Sequence, residues 1–359
     1  MSNIVVPEME ASSQAVDAQT NTDIVETYER ILASDPELTM PVAAIEALIN
    51  VLGQTTSSTV METLDIIRTA ADRLRTSVPN PVPLAAGTDL FQQYLLRSLK
   101  KQDTNDAHAG FEETRQYLIR NSRVFASRAK QARAEIAERG ARIIGEGSCV
   151  LTGGGSRTIA AVLLRAAEVH SAEFGSPRFK VVYVVDLRFP SNVVENLRSR
   201  GVPVAEVSER DIAHVLRTTG VDFALLGAEV LCQSGGVLSR IGTYNIVELV
   251  AAYKKPVYFA AESHKIARVY PLSQLDLPRC GVQQQVANFT TSNEPPKQTS
   301  AANEDPIDYT PPKMITKAHG RWCQRTSMAK YGYVRKDLAF DEYHARTPRR
   351  SQYMAPLIK

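Results

Sequence analysis

Three glycines stand where a buried strand gives way to a helix. Gly153, Gly154 and Gly155 follow Cys149-Val150-Leu151 and precede Ser156, Arg157 and a helical pattern from about Thr158. Backbone N–H groups at a helix start, with the helix dipole behind them, favour an anion. Ser156 and Arg157 add a hydroxyl and a guanidinium suited to a phosphate. The spacing is not GxGxxG, and no P-loop lysine is present. The same glycines would equally serve a tight strand-to-helix turn without a ligand.

Glu229 follows FALLGA, at the carboxyl end of a predicted central strand. A buried carboxylate is costly unless it meets water, a cation or a proton, and Arg157 and Arg240 are its natural partners. A structural ion pair would look the same. In GGVLSRIGTYN, residues 235–245, Ser239 and Arg240 could grip an anion and Thr243 could cap the next helix. Glu262, His264, Lys265 and Arg268 come just after the last parallel strand, His264 reading as a polar contact and Lys265 as a further anion contact. The four cysteines (Cys149, Cys232, Cys280, Cys323) are far apart with no CxxC pair. They indicate neither a zinc site nor a disulfide framework, and a reducing compartment is expected. Cys149 and Cys232 read as small buried apolar residues.

These residues need elements to position them. Residues 22 to about 139 read as helices. The apolar positions Val42, Ile45, Leu48, Ile49 and Leu52 follow helical spacing, in a helix expected to open at Asp35-Pro36-Glu37. A third helix is expected from about Thr56 to Leu74, a proline-rich break over 77–84, helix again near Asp89, and a long one over about 106–139. From 147 the period changes. CVLT, VVYVV, VAEV, FALLG and VYFAA are short Val-rich runs with helical patterns between them over 157–173, 190–200, 209–218 and 243–253. That alternation predicts an α/β fold, a helical N-terminal domain (22–140) followed by a Rossmann-like parallel-sheet domain (141–316). In such sheets ligands bind beyond the carboxyl ends of the strands. Residues 281–308 read as an exposed connector and DYTPPKMIT, 308–316, as a return to the sheet. Residues 1–21 read as disordered.

Composition excludes several classes. The chain has 359 residues and a net charge of +3, but 317–359 carries 10 Lys+Arg against 3 Asp+Glu. The remainder holds 32 against 36, so a mildly acidic body ends in a basic tail. No basic-aromatic sheet motif or recognition helix points to nucleic acid. No apolar run reaches the roughly 20 residues of a membrane span.

The stretch LLGAEVLCQSGGVLSRIGTYNIVELVAAYKKPVYFAAESHKIARVYPL resembles the signature region of the alpha, beta and delta regulatory subunits of translation initiation factor 2B. DPELTMPVAAIEALINVL and DYTPPKMIT are similar to its alpha members in particular, and the resemblance spans about 22–316. It implies a non-catalytic, cytosolic regulatory subunit without a cofactor or metal. The implied partners are a second copy of itself, the beta, delta, gamma and epsilon subunits, and initiation factor 2 phosphorylated on its alpha subunit. The surface for that phosphorylated partner is expected on the second helix, with Glu37, Thr39 and Glu46 as exposed candidates.

The same superfamily holds sugar-phosphate isomerases, whose acid/base cysteine and aspartate fall here at Gly154 and Glu229. Losing a general acid/base costs roughly 10²–10⁴-fold. Moving a carboxylate by about 1 Å can cost roughly 10²-fold more. The resemblance thus implies a vestigial pocket in which Gly153, Gly155, Ser156, Arg157, Ser239, Arg240 and Lys265 could still hold a sugar phosphate. The alternative is a sugar-phosphate (aldose-ketose) isomerase or a sugar-phosphate-binding protein. After Thr316 the chain departs from the alpha pattern, which puts the sheet edge and dimer surface in question.

Overall fold

A computed structural model describes residues 24–316 except 36, 55–58, 79, 103–110, 187–190, 285 and 288–305. The readings of residues 1–21 and of the basic tail lie outside the described residues, as does Pro36. Helix α1 covers 24–34, followed by α2 (Met40–Gln54), α3 (Val60–Thr76), α4 (Val82–Gln102) and α5 (Phe111–Gly140). The helical core gathers Ile45, Leu48, Leu52, Leu74, Leu84 and Phe91, all fully enclosed. Val42, Ile45, Leu48, Ile49 and Leu52 all face it.

Three helix starts differ from expectation for local reasons. Asp35 Oδ1 accepts the Glu37 N–H at 2.9 Å and the Asp35 carbonyl accepts that of Leu38, bonds that compete with a helix start there, and α2 opens only at Met40. Helix α3 begins after Thr59, whose hydroxyl accepts from the Glu62 N–H as an N-cap. Helix α4 starts earlier than Asp89. Asn80 Oδ1 accepts the Val82 N–H, and Pro83 sits in the first turn, where no helical N–H is needed.

The second half builds a parallel five-stranded sheet in the order β3-β2-β1-β4-β7: β1 (Cys149–Gly153), β2 (Lys180–Val184), β3 (Val204–Val207), β4 (Phe223–Gly227) and β7 (Val257–Ala260). Helices α6 (Arg157–Phe174), α7 (Val193–Ser199), α8 (Ile212–Thr218) and α9 (Thr243–Ala252) connect the strands. One apolar layer holds Val150, Leu163 and Leu225, and the other holds Leu151, Leu226 and Val247. Strands β1, β2, β4 and β7 are therefore largely buried on both faces, which explains their apolar runs, while Ala205 and Glu206 of edge strand β3 are exposed.

A second, four-stranded sheet escaped the sequence reading. Strands β5 (Val230–Cys232), β6 (Val237–Arg240), β8 (Ile266–Ala267) and β9 (Ile307–Thr310) pair in the order β8-β5-β6-β9. These strands have two to four residues each, too short to show a period. DYTPPKMIT does return to a sheet, but to this one, with Leu238 opposite Tyr309 and Ser239 opposite Asp308. Most of the connector expected over 281–308 lies outside the described residues, and its last two residues, Ile307 and Asp308, are buried. The edge of β7 is partly covered, because Thr316 N–H donates to the Val257 carbonyl and Thr316 Oγ1 accepts the Val257 N–H. Among the described residues, no helix is long and apolar enough to cross a membrane.

Gly87 of α4 lies against α2: a Cβ there would meet the Pro41 carbonyl oxygen at 2.5 Å. Gly53 in α2 has nothing within 4 Å of that position. Gly87→Ala should destabilise by about 1–3 kcal/mol through overpacking. Gly53→Ala should stabilise by up to about 1 kcal/mol through helix propensity. Urea unfolding of both variants checks the opposite signs, and a neutral Gly87→Ala would count against the close approach.

Candidate functional site

The strand order reverses between β1 and β4, neighbours in the sheet whose connections run to opposite sides. Such a switch point leaves a crevice beyond the strand ends. Here it is a cavity of about 180 Å³ lined by the turn after β1 (Gly153–Thr158), the turn after β4 (Gly227–Glu229), and Ser239, Arg240, Thr243 and Lys265. The helical region closes the other side with Thr39, Met40, Pro41, Pro83 and Arg133. All the proposed anion-binding positions, Gly153, Gly155, Ser156, Arg157, Ser239, Arg240 and Lys265, thus meet in one crevice, together with Gly154 and Glu229.

The turn after β1 needs its glycines. Gly154 and Gly155 have φ of 74° and 62°, in the left-handed region. Ser156 then caps α6, its hydroxyl accepting the Ile159 N–H. The turn packs against β4 so closely that a Cβ on Gly227 would stand 2.2 Å from Ser156 Oγ. Gly227 is thus needed for contact between the two crevice turns.

The cations are already engaged. Arg240 Nε lies 3.9 Å from Glu229 Oε1, the pairing expected for that carboxylate, and its guanidinium reaches over Gly155. Arg157 Nη1 instead donates to the Leu38 carbonyl at 3.1 Å, tying the sheet to the loop before α2. Burial, reinforced by Arg133 nearby, lowers its pKa. Lys265 Nζ donates to the Ala228 carbonyl at 3.1 Å. It also lies 2.9 Å from Glu262 Oε2, close as an ion pair but off the direction of a hydrogen bond. Ser239 Oγ donates to the Gly227 carbonyl at 3.3 Å. Four cationic side chains and one carboxylate line the crevice, an excess suited to an anionic ligand.

Glu262 and Arg133 complete the site from behind. Glu262 is only 1% exposed. Its Oε1 accepts from Thr158 Oγ1 at 2.9 Å and lies 3.5 Å from Arg133 Nε. Burial pushes its carboxyl up, but Lys265 and His264 beside it hold it well below the usual carboxylate range. Arg133 was not singled out by sequence, since nothing marks it within an Ala/Arg/Glu-rich helix. Its spacing from Glu262, 129 positions away, carries no local signal. His264 is the polar contact expected of it, with Nε2 3.1 Å from Thr39 Oγ1.

Two expectations are corrected. Thr39 is buried, 6% exposed, so it cannot be a surface candidate: it lines the crevice and meets His264. Glu37 is exposed and pairs with Arg133, while Glu46 is partly buried and meets Lys130 Nζ at 2.7 Å. Thr243 does not cap α9. Gly242 is the cap residue, Thr243 Oγ1 donates back to the Arg240 carbonyl, and Asp308 Oδ2 on β9 accepts the Tyr244 N–H at 2.8 Å. Arg268 does not line the crevice. Cys149 and Cys232 are buried thiols whose pKa burial raises, that of Cys232 to about 12. Among the described residues, no group of three or more His, Cys, Asp or Glu side chains could hold a metal ion.

A helical region set against a parallel sheet, with this crevice between them, defines a class, and comparison identifies it. The Initiation factor 2 subunit family model matches residues 33–318, and the chain belongs to that family. It is 27% identical to translation initiation factor eIF2B subunit alpha of Dictyostelium discoideum over 82% of this chain and 89% of that protein. It is also 25% identical to the ribose 1,5-bisphosphate isomerase of Archaeoglobus fulgidus, over 56% and 58% of the two chains. A chain of the tetrameric eIF2B-beta2-delta2 complex from C. thermophilum shares the fold at a TM-score of 0.62 and 18% identity, over 86% of this chain and 93% of that one.

Two buried groups set opposite pH dependences. Burial lowers the His264 pKa from 6.5 to about 4, so the unfolded chain takes up this proton first. That contribution to stability is whole above about 6.5 and is lost as pH falls towards about 4. Burial, with Glu229 and Glu209 nearby, raises Asp308 from 3.8 to about 7, against the pull of the Tyr244 and Gly242 amides. The folded state takes up that proton first, so its contribution is whole below about 3.8 and is lost as pH rises through about 7. His264→Gln should flatten the acid limb of stability, and Asp308→Asn the limb approaching neutrality. Urea midpoints between pH 4 and 8 read both, and a variant curve parallel to wild type sinks the corresponding assignment.

Proposed function

We propose that this chain is a non-catalytic regulatory subunit, of the alpha type, in the guanine-nucleotide exchange factor for initiation factor 2. In this reading it pairs with a second copy of itself and joins assemblies of the beta, delta, gamma and epsilon subunits in the cytosol. Its helical region contributes to the surface that distinguishes initiation factor 2 phosphorylated on its alpha subunit, with Glu37 and Glu46 as the remaining candidates. Family membership over 33–318 and the alpha-subunit relative support the assembly. Phosphorylation would shift such an assembly only by its differential affinity for two arrangements.

The observation that carries the non-catalytic reading is Gly154. The crevice keeps its cations, yet the turn position corresponding to the isomerase cysteine presents no side chain and has a left-handed backbone, which strains any other residue. Anion binding without a proton-transfer pair fits that combination. The crevice therefore serves, in this proposal, as a binding pocket for a phosphorylated sugar.

Light scattering of the full chain, alone and with the beta and delta subunits, tests assembly. A dimer that bridges those subunits is expected, and a chain that ignores them overturns the reading. For the pocket, calorimetric titration with ribose 5-phosphate should show binding that Arg240→Ala weakens by about tenfold or more, the loss of a charge-assisted hydrogen bond. No heat with the wild-type chain removes the pocket proposal, and isomerase turnover above background removes the non-catalytic one.

A further inference from the structure

Residues 37–39 are held one after another by side chains from elsewhere in the fold. The Arg133 guanidinium binds the Glu37 carboxylate through Nη1 and the Glu37 carbonyl through Nη2 at 2.8 Å. Arg157 holds the Leu38 carbonyl, and His264 meets Thr39. Arg133 and Arg157 also line the crevice. Arg133 further borders a second cavity of about 230 Å³, lined by Asp35, Glu37, Thr39, Glu262 and His264 among others. It is thus a partition between the ligand crevice and the loop that leads into α2.

We propose that Arg133 is a gated anion-binding residue of the crevice, contested between the phosphate of a bound ligand and the carboxylate of Glu37. The inference rests on the crevice binding a phosphorylated ligand. The partners of Arg133 are unequal. Glu262 is almost wholly enclosed, and losing a partner there would leave a buried charge uncompensated. The Glu37 side chain is 71% exposed, so water readily replaces its partner and the pair is weak. A phosphate entering among Arg157, Arg240 and Lys265 offers Arg133 a doubly charged acceptor in a less hydrated place. The planar guanidinium of Arg133 swings as a unit from Glu37 towards the ligand while staying beside the Glu262 carboxylate. The segment before α2 is then released on its exposed side.

The competition is reciprocal. A ligand in the crevice frees Glu37, and a protein that engages Glu37 raises ligand affinity by the same factor. A small-molecule site inside the fold and a carboxylate on its surface are thereby coupled through one guanidinium.

Calorimetry with ribose 5-phosphate on the full chain tests this with two variants. Glu37→Gln removes the competitor from an exposed position and should tighten binding about two- to fivefold, the worth of a surface ion pair. Glu138→Gln removes a carboxylate that pairs with Arg165 outside the crevice and should leave affinity unchanged. Hydrogen exchange at the amides of residues 37–39 should speed up with ligand in the wild-type chain. Equal binding by wild type and Glu37→Gln overturns the gate and leaves the pocket standing. Equal tightening by both variants reassigns the effect to bulk charge and also overturns the gate. No binding by any of them overturns the pocket and the gate together.

Discussion

An ionised carboxylate enclosed to 1% exposure is the constraint around which the two halves of this chain are arranged. Taking a charge out of water costs several kcal/mol unless charges and hydrogen bonds meet it from every side. Glu262 is met by Thr158 from α6, Arg133 from α5 and Lys265 from its own loop. Lys265 in turn holds the Ala228 carbonyl after β4. One buried charge thus fixes a helix of the first region against the turns after β1 and β4. Those are the elements that make the crevice, so its shape follows from satisfying Glu262.

In the proposed reading, the crevice serves binding alone in a chain that is also similar to a ribose 1,5-bisphosphate isomerase. Affinity for an anion asks for cations and helix-start amides in roughly the right place. Proton transfer asks for a particular group at a particular atom, within hydrogen-bond reach. In that reading Gly154 stands without a side chain where the isomerases are expected to carry their cysteine, and Glu229 lies beside Arg240. Binding tolerates these changes far better than turnover does, which is why the site and not the fold decides between the two.

The sequence made the parallel sheet legible because four of its five strands are largely buried and all read as short Val-rich runs, with bounds that held to within a residue or two. The crevice was legible from the rule for strand ends, and the glycine turn, Glu229, Arg240 and Lys265 do meet there. Local competition hid the helix starts: Asp35 and Asn80 use side-chain oxygens to shape turns whose outcome composition does not announce. Non-local contact hid the rest. Thr39 reads as an exposed polar residue near a helix start, and only His264, 225 positions away, makes it a buried one. The second sheet consists of strands too short for a period and pairs segments from opposite sides of a long connector.

That pairing bears on how the chain comes to be folded. Helix α9 is a short, mostly apolar helix whose first amides are met by Asp308, 64 positions further along the chain. During synthesis those amides leave the ribosome well before their acceptor does. Strand β6 waits for β9 in the same way, and contacts of such separation form slowly because the intervening loop must first close. The main sheet can therefore assemble while one flank is still unfinished. Exchange labelling of the Tyr244 amide during refolding of the full chain would time the closure of that flank.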